Sequence, residues 1–129
     1  MRTVHIHPKD TSRVICSIDA PSPPSSWFWC GEDWPSKVPA SQAMAKRFMG
    51  CVIETSDIQR TAKQYERLLG IPFSVKDSCF ALGNDQRLLL VESHQPRGDG
   101  VVGFLLEATD RRDVGRRHIF SQSLFFDFL

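Results

Sequence analysis

No stretch of this sequence approaches the roughly 20 consecutive apolar residues that a membrane-crossing helix requires. Its first ten residues, MRTVHIHPKD, alternate polar and apolar side chains where a secretory signal would be continuously apolar. The expected location is therefore the cytoplasm. Charge of one sign is scarce too: 16 Lys+Arg stand against 15 Asp+Glu, a formal net charge of +1. That balance argues against nucleic acid or an anionic membrane as partner, because both demand a clustered excess of Lys and Arg. Arg111, Arg112, Arg116 and Arg117, interrupted by Asp113, make the one basic cluster, and it reads as a solvated helix face. Cysteine is sparse: Cys16, Cys30, Cys51 and Cys79 are far apart, without the C-x-x-C spacing of zinc ribbons or redox pairs, and read as buried free thiols. A phosphate-binding Gly loop, a nucleophile elbow, and a Ser or Cys with an evident His and acid partner are all missing.

What is present suffices for one globular domain: 41% of the 129 residues are hydrophobic and 24% charged. Thr3 to His7 and Arg13 to Asp19 alternate and flank a turn-forming stretch, which predicts a β-hairpin. The following APSPPSS cannot be helix or central strand, since its prolines remove donors and fix φ. Trp27, Phe28, Trp29 and Trp34 come next, rings that plug a core end or an interface. Gly50 to Ser56 reads as a strand, and Ser56 with Gln59 has the form of a capping box that starts a helix. Ile58, Ala62, Tyr65, Leu68 and Leu69 fall on one stripe of it, and Gly70 with Pro72 supplies the stop. Strands are expected at Phe73 to Lys76, Cys79 to Leu82, Arg87 to Glu92 and Val101 to Ala108, with turns at residues 83–85 and 94–100.

The sequence also repeats. Gly50-Cys51-Val52-Ile53-Glu54-Thr55-Ser56-Asp57 aligns, 53 residues on, with Gly103-Phe104-Leu105-Leu106-Glu107-Ala108-Thr109-Asp110. The Gly, Glu and Asp positions are identical. One helix and about three strands lie between the copies, so the fold class expected is α+β, built of βαβββ modules forming a curved mixed sheet. Only one module is complete. The expected organisation is closing strands of a partial module at 1–19, a Pro- and Trp-rich linker at 20–48, the complete module at 49–100, and the start of a further module with a divergent apolar tail at 101–129. A weaker echo of Arg87 to Ser93 in Arg13 to Asp19 supports the first assignment. The tail, with Phe120, Leu124, Phe125, Phe126, Phe128 and Leu129, must bury itself or associate, which makes a homodimer the expected assembly.

The segment GCVIETSDIQRTAKQYERLLGIPF resembles the opening strand and helix of the vicinal oxygen chelate superfamily, the glyoxalase, bleomycin-resistance and extradiol-dioxygenase group. Asp57, Tyr65, Leu69 and Gly70 carry the likeness, and HIHPKDTSRVICSID is similar to the closing strands of such a module. The resemblance implies a cupped sheet of paired βαβββ modules. It further implies a divalent metal (Fe, Mn, Zn or Ni) chelating two adjacent oxygens of a small-molecule substrate, in a lyase, isomerase or dioxygenase. Its usual ligands are a His in a module's first strand and a Glu in its last. Here the first-strand places are Gly50 and Gly103, neither of which can bind metal, and Glu92 is the plausible match for the acid.

His5 and His7 alternate with Val4 and Ile6, so on a strand both rings would share one face about 7 Å apart. With Glu92 they would complete a two-His, one-carboxylate set suited to a divalent ion with open positions; otherwise they are polar partners on a half-solvated strand. Glu54 and Glu107 suit an ion pair across the module interface better than chemistry. Three readings result: a metal-dependent enzyme, a small-molecule-binding module without metal, and a remnant of a longer two-domain protein.

Overall fold

The computed structural model describes residues 2–23, 44–93, 98–122 and 124–129. Trp27, Phe28, Trp29, Trp34 and Cys30, and most of the turn expected at 94–100, lie outside the described residues.

The fold is α+β. Strands β1 (Arg2–Ile6) and β2 (Cys16–Ala20) form the expected hairpin, which stands as its own two-stranded sheet. Then follow β3 (Ala45–Thr55), α1 (Ile58–Leu69), the single α-helix among the described residues, β4 (Cys79–Gly83), β5 (Gln86–Glu92), β6 (Gly100–Ala108), β7 (Arg117–Ser121) and β8 (Leu124–Phe128). The last six strands make one mixed sheet in the order β4-β5-β3-β6-β8-β7.

Several local expectations change. The strand β3 begins at Ala45, inside the stretch assigned to a linker, because its first residues pair with the end of β6. The cap of α1 is Asp57 rather than Ser56: the Asp57 carboxylate accepts the Arg60 N–H at 2.9 Å, satisfying one of the donors a helix start leaves open. Gly70, in the left-handed conformation with φ 69°, ends the helix as expected. Its buried stripe is Thr61, Ala62 and Tyr65, with Ile58 and Leu68 packed beside them and Leu69 exposed. Residues 73–76 are not a strand; Ser74 makes one isolated bridge to Cys79 and the chain turns. The apolar tail is no irregular addition either, since it folds into β7 and β8 within the sheet.

The repeated segments have equivalent surroundings. Gly50 of β3 pairs with Arg87 of the parallel β5, and Gly103 of β6 pairs with Phe125 of the parallel β8. Between β3 and β6, Cys51 lies opposite Phe104, its own counterpart 53 positions on. The flanking pairs, Gly50 with Leu105 and Val52 with Gly103, exchange under the same offset. A local two-fold axis of the pairing pattern thus passes through Cys51 and Phe104. The hairpins obey it as well. Each has a register shift at the same place, between Ala81 and Gly83 in β4 and between Ile119 and Ser121 in β7. The halves differ in their connections: Arg87 follows Gly50 by 37 residues and Phe125 follows Gly103 by 22, so the second link is 15 shorter. Where the first half carries α1, the second has a 3-10 turn at Arg111–Asp113, capped by Asp110 as Asp57 caps α1.

Two apolar clusters lie on the two sheet faces. Ile53, Leu88, Leu90 and Phe80 meet Ala62 and Tyr65 of α1, and Phe80 and Leu90 are 0% and 1% exposed. Burying side chains of this size contributes about 2–3 kcal/mol each. On the other face Met49, Val52, Val102 and Leu105 pack with Leu89 and Phe125.

The N-terminal hairpin is fastened to α1 through polar groups. Ser12 Oγ lies 2.6 Å from Thr61 Oγ1, which lies 2.8 Å from Thr55 Oγ1, and Thr55 donates to Asp99 Oδ2 at 3.1 Å. The Tyr65 hydroxyl donates to the Thr11 carbonyl at 3.2 Å. Thr55 and Thr61 are fully buried, and a buried hydroxyl is tolerated only when bonded in this way.

Candidate ligand-binding face

Side chains in a strand alternate between faces, and residues directly paired across strands share one. Val52 and Glu54 of β3, Arg87 and Leu89 of β5, Leu105 of β6 and Phe125 of β8 therefore point away from α1. This face holds an open groove of about 540 Å³ along the β4–β5 hairpin, walled by Cys79, Ala81 and Leu89, with Arg87, Asn84 and Asp85 at its polar side. It is larger than the cavities of about 350 and 210 Å³ beside the N-terminal hairpin. The Arg87 side chain is exposed and makes no hydrogen bond or ion pair among the described residues.

Glu107 serves the frame around this groove. Arg47 donates to it at 2.9 Å and Lys46 at 3.2 Å, and these bonds, Arg47's foremost, hold its carboxyl below the usual range. Arg47 also donates to the Asn84 carbonyl at 3.2 Å and lies 3.8 Å from Asp85, so one guanidinium ties β6 to the β4–β5 turn. An ion pair between the halves was the structural role expected of Glu107. Its counterpart Glu54 is buried on the same face, opposite Val91 of β5.

The three residues the sequence offered as metal ligands do not assemble. His5 sits on β1 opposite Ser17, near Asp19, whose carboxyl is held low by Thr3 and Ser17 first and by His5 last. His7 directly follows the last residue of β1, its backbone still extended at φ −66° and ψ 133°. Its Nδ1 accepts the Lys9 N–H at 3.2 Å as the cap of a 3-10 turn. Glu92 ends β5 in the other sheet, exposed and paired with Thr55. Among the described residues no group of three or more His, Cys, Asp or Glu is placed to hold a metal ion.

The two glycines at the first-strand positions are packed closely, Gly50 against backbone and Gly103 against a ring. A Cβ on Gly50, where φ is +146°, would stand 1.8 Å from the Arg87 carbonyl oxygen, and one on Gly103 would stand 2.3 Å from the Phe125 ring. The residues present therefore do not fit the metal set that the resemblance implies.

Two further titratable groups, Cys51 and Tyr65, lie behind this face. Burial, with Cys16 nearby, pushes the Cys51 thiol up to about 11, and burial first, then the Cys16 contact, raises the Tyr65 hydroxyl. Both belong to the packing beneath α1. The Arg47–Glu107–Asp85 tie and the groove were not legible in the sequence, because they depend on a 60-residue contact across β3 and β6. The repeated Glu was the one available signal. Comparison with protein-family models, with curated proteins and with solved structures finds no match.

Proposed function

We propose that this chain is a glyoxalase-like module of vicinal oxygen chelate type that binds a small organic molecule without the family's metal site. In this reading each half is a βαβββ unit, the first with its strand after the helix reduced to the Ser74–Cys79 bridge, the second with its helix replaced by the 3-10 turn. The observation that carries it is the common register of the repeats, Gly50 on Arg87 and Gly103 on Phe125, about the Cys51–Phe104 axis. The packed glycines favour the binding module over the enzyme, since a histidine at Gly50 would need a different backbone and one at Gly103 would have to displace the Phe125 ring.

The groove's chemistry indicates the ligand class. Leu89, Cys79 and Ala81 offer apolar contact, and the Arg87 guanidinium offers a fork of donors to a carboxylate or enolate oxygen. The test is a thermal-shift screen of small dicarbonyl compounds and aromatic carboxylates on the full chain, with and without chelator. A shift that survives chelator and falls about tenfold in apparent affinity in Arg87→Ala supports the proposal. A shift abolished by chelator and indifferent to Arg87→Ala would overturn it.

A further inference from the structure

Among the described residues no helix covers the second half, and the pseudo-symmetry identifies the surface this leaves. Phe104 pairs with Cys51 and Phe126 with Phe104, so both rings lie on the face that α1 covers in the other half. They belong to a row of four rings crossing four adjacent strands: Phe48 of β3, Phe104 of β6, Phe126 of β8 and Phe120 of β7, with successive centroids 6.0, 5.8 and 6.0 Å apart. Phe48 is 47% and Phe120 76% exposed. By the register of the hairpins, Phe126 occupies the place of Leu88, which α1 buries, and is only half-buried; Phe128, at the place of Leu90, is 5% exposed and closes the end of the seat. At the position of the buried Thr55 stands Ala108, so this seat lacks the hydroxyl that bonds α1 from below.

We propose that this half, which no helix covers among the described residues, is a docking seat for an amphipathic α-helix of a partner protein, lying over Phe48, Phe104, Phe126 and Phe120 as α1 lies over the first half. The occupant follows from the structure itself: the equivalent sheet surface is closed by a 12-residue helix whose apolar side chains recur as Ile58, Ala62, Tyr65 and Leu68. The partner helix then presents apolar residues at i, i+3, i+4 and i+7. Its charge follows from Arg111. That residue comes directly after Asp110, where the first turn of a helix would lie, and it is exposed without an ion pair among the described residues. Neighbouring Arg112, Arg116 and Arg117 are matched by Asp110, Asp113 and Asp127. An acidic side chain in the partner's first turn meets Arg111.

The proposal stands apart from the ligand groove, which lies on the opposite face. The probe is a fluorescent 14-residue peptide with Leu at helical spacing, Glu in its first turn and Lys elsewhere, compared with a scrambled peptide of the same composition. Anisotropy on the full chain should show saturable binding of the ordered peptide at least about tenfold tighter than of the scrambled one. Phe120→Ser and Phe48→Ser, both at exposed positions, should each weaken it about tenfold, and Arg87→Ala should leave it unchanged. Equal binding of both peptides, or binding indifferent to the two Phe variants, would overturn the proposal. Sedimentation supplies the other contrary outcome: a dimer that Phe120→Ser converts to monomer assigns the face to a second copy instead.

Discussion

The two halves of the six-stranded sheet share a register and differ in what covers them. In the first, α1 closes over Ile53, Leu88 and Leu90, which fall to 6% exposure or less. In the second, Phe128 is buried at the place of Leu90, but Phe104 and Phe126 remain half-buried on the same face and Phe120 stands in solvent. Yet β6 and β8 meet in the same pairing as β3 and β5. The helix is therefore not what sets the strand register. Backbone pairing, hairpin geometry and the two glycines do that, and the helix decides how much apolar surface leaves water.

The glycines are the sharpest place to break this comparison. At Gly50 a side chain meets backbone that cannot move aside, on a φ that L residues rarely adopt, so Gly50→Ala should cost more than about 4 kcal/mol or prevent folding. At Gly103 the obstacle is the ring of Phe125, which can rotate away, and Gly103→Ala should cost about 1–3 kcal/mol. Chemical denaturation of both variants measures the difference. Equal losses would mean that the two positions are held alike.

The covering helix supplies the next contrast. Phe80→Ala, at 0% exposure under α1, should lose about 3–5 kcal/mol, while Phe120→Ala, at 76% exposure, should lie within about 0.5 kcal/mol of the parent. A large loss at Phe120 would show that the second half is closed in the free chain. The capping aspartates differ in the same sense. Asp57→Ala removes the cap of a 12-residue helix and should cost about 1 kcal/mol, whereas Asp110→Ala, at the head of a single 3-10 turn, should be nearly silent in the same denaturation experiment.

The smallest effect expected is the pH dependence that Asp99 contributes beside the first half. Burial alone would raise the carboxyl of Asp99, but the Ser56 N–H, the Thr55 hydroxyl and the Arg60 charge outweigh it and hold the group below its ordinary value. A lowered folded-state pKa stabilises the protein above the unfolded value near 3.8, and that stability is lost as pH falls through the folded one. Asp99→Asn should therefore be less stable than the parent at pH 7 and converge with it well below pH 3.8. A difference that persists at low pH would locate the effect in shape rather than charge.

How much of this was legible varies with distance along the chain. The extent of α1 could be read because its cap, stripe and Gly70 stop are local, though the choice of Asp57 over Ser56 as cap depended on where β3 ends. The strands β4, β5 and β6 were legible from alternation between turn signals. The tail strands were not. Phe125 and Phe126 are adjacent apolar residues, and only their opposite partners, Gly103 and Phe104, show that one ring faces each side of the sheet. The role of His7 was no more legible: its Nδ1 accepts the Lys9 N–H at the head of a 3-10 turn, which a strand pattern does not foretell.

By itself the sequence determined the repeat, the helix that follows its first copy, the absence of any long apolar span and the lack of a side chain at Gly50 and Gly103, all properties of residue type and short-range order. Only the tertiary structure decided that the copies meet about Cys51 and Phe104, that the tail completes the second half, and that its aromatic row lies open where α1 has no counterpart among the described residues. Those depend on which strands become neighbours. That choice is made by apolar surface and backbone donors finding partners across 20 to 60 residues of chain, and no local pattern records it.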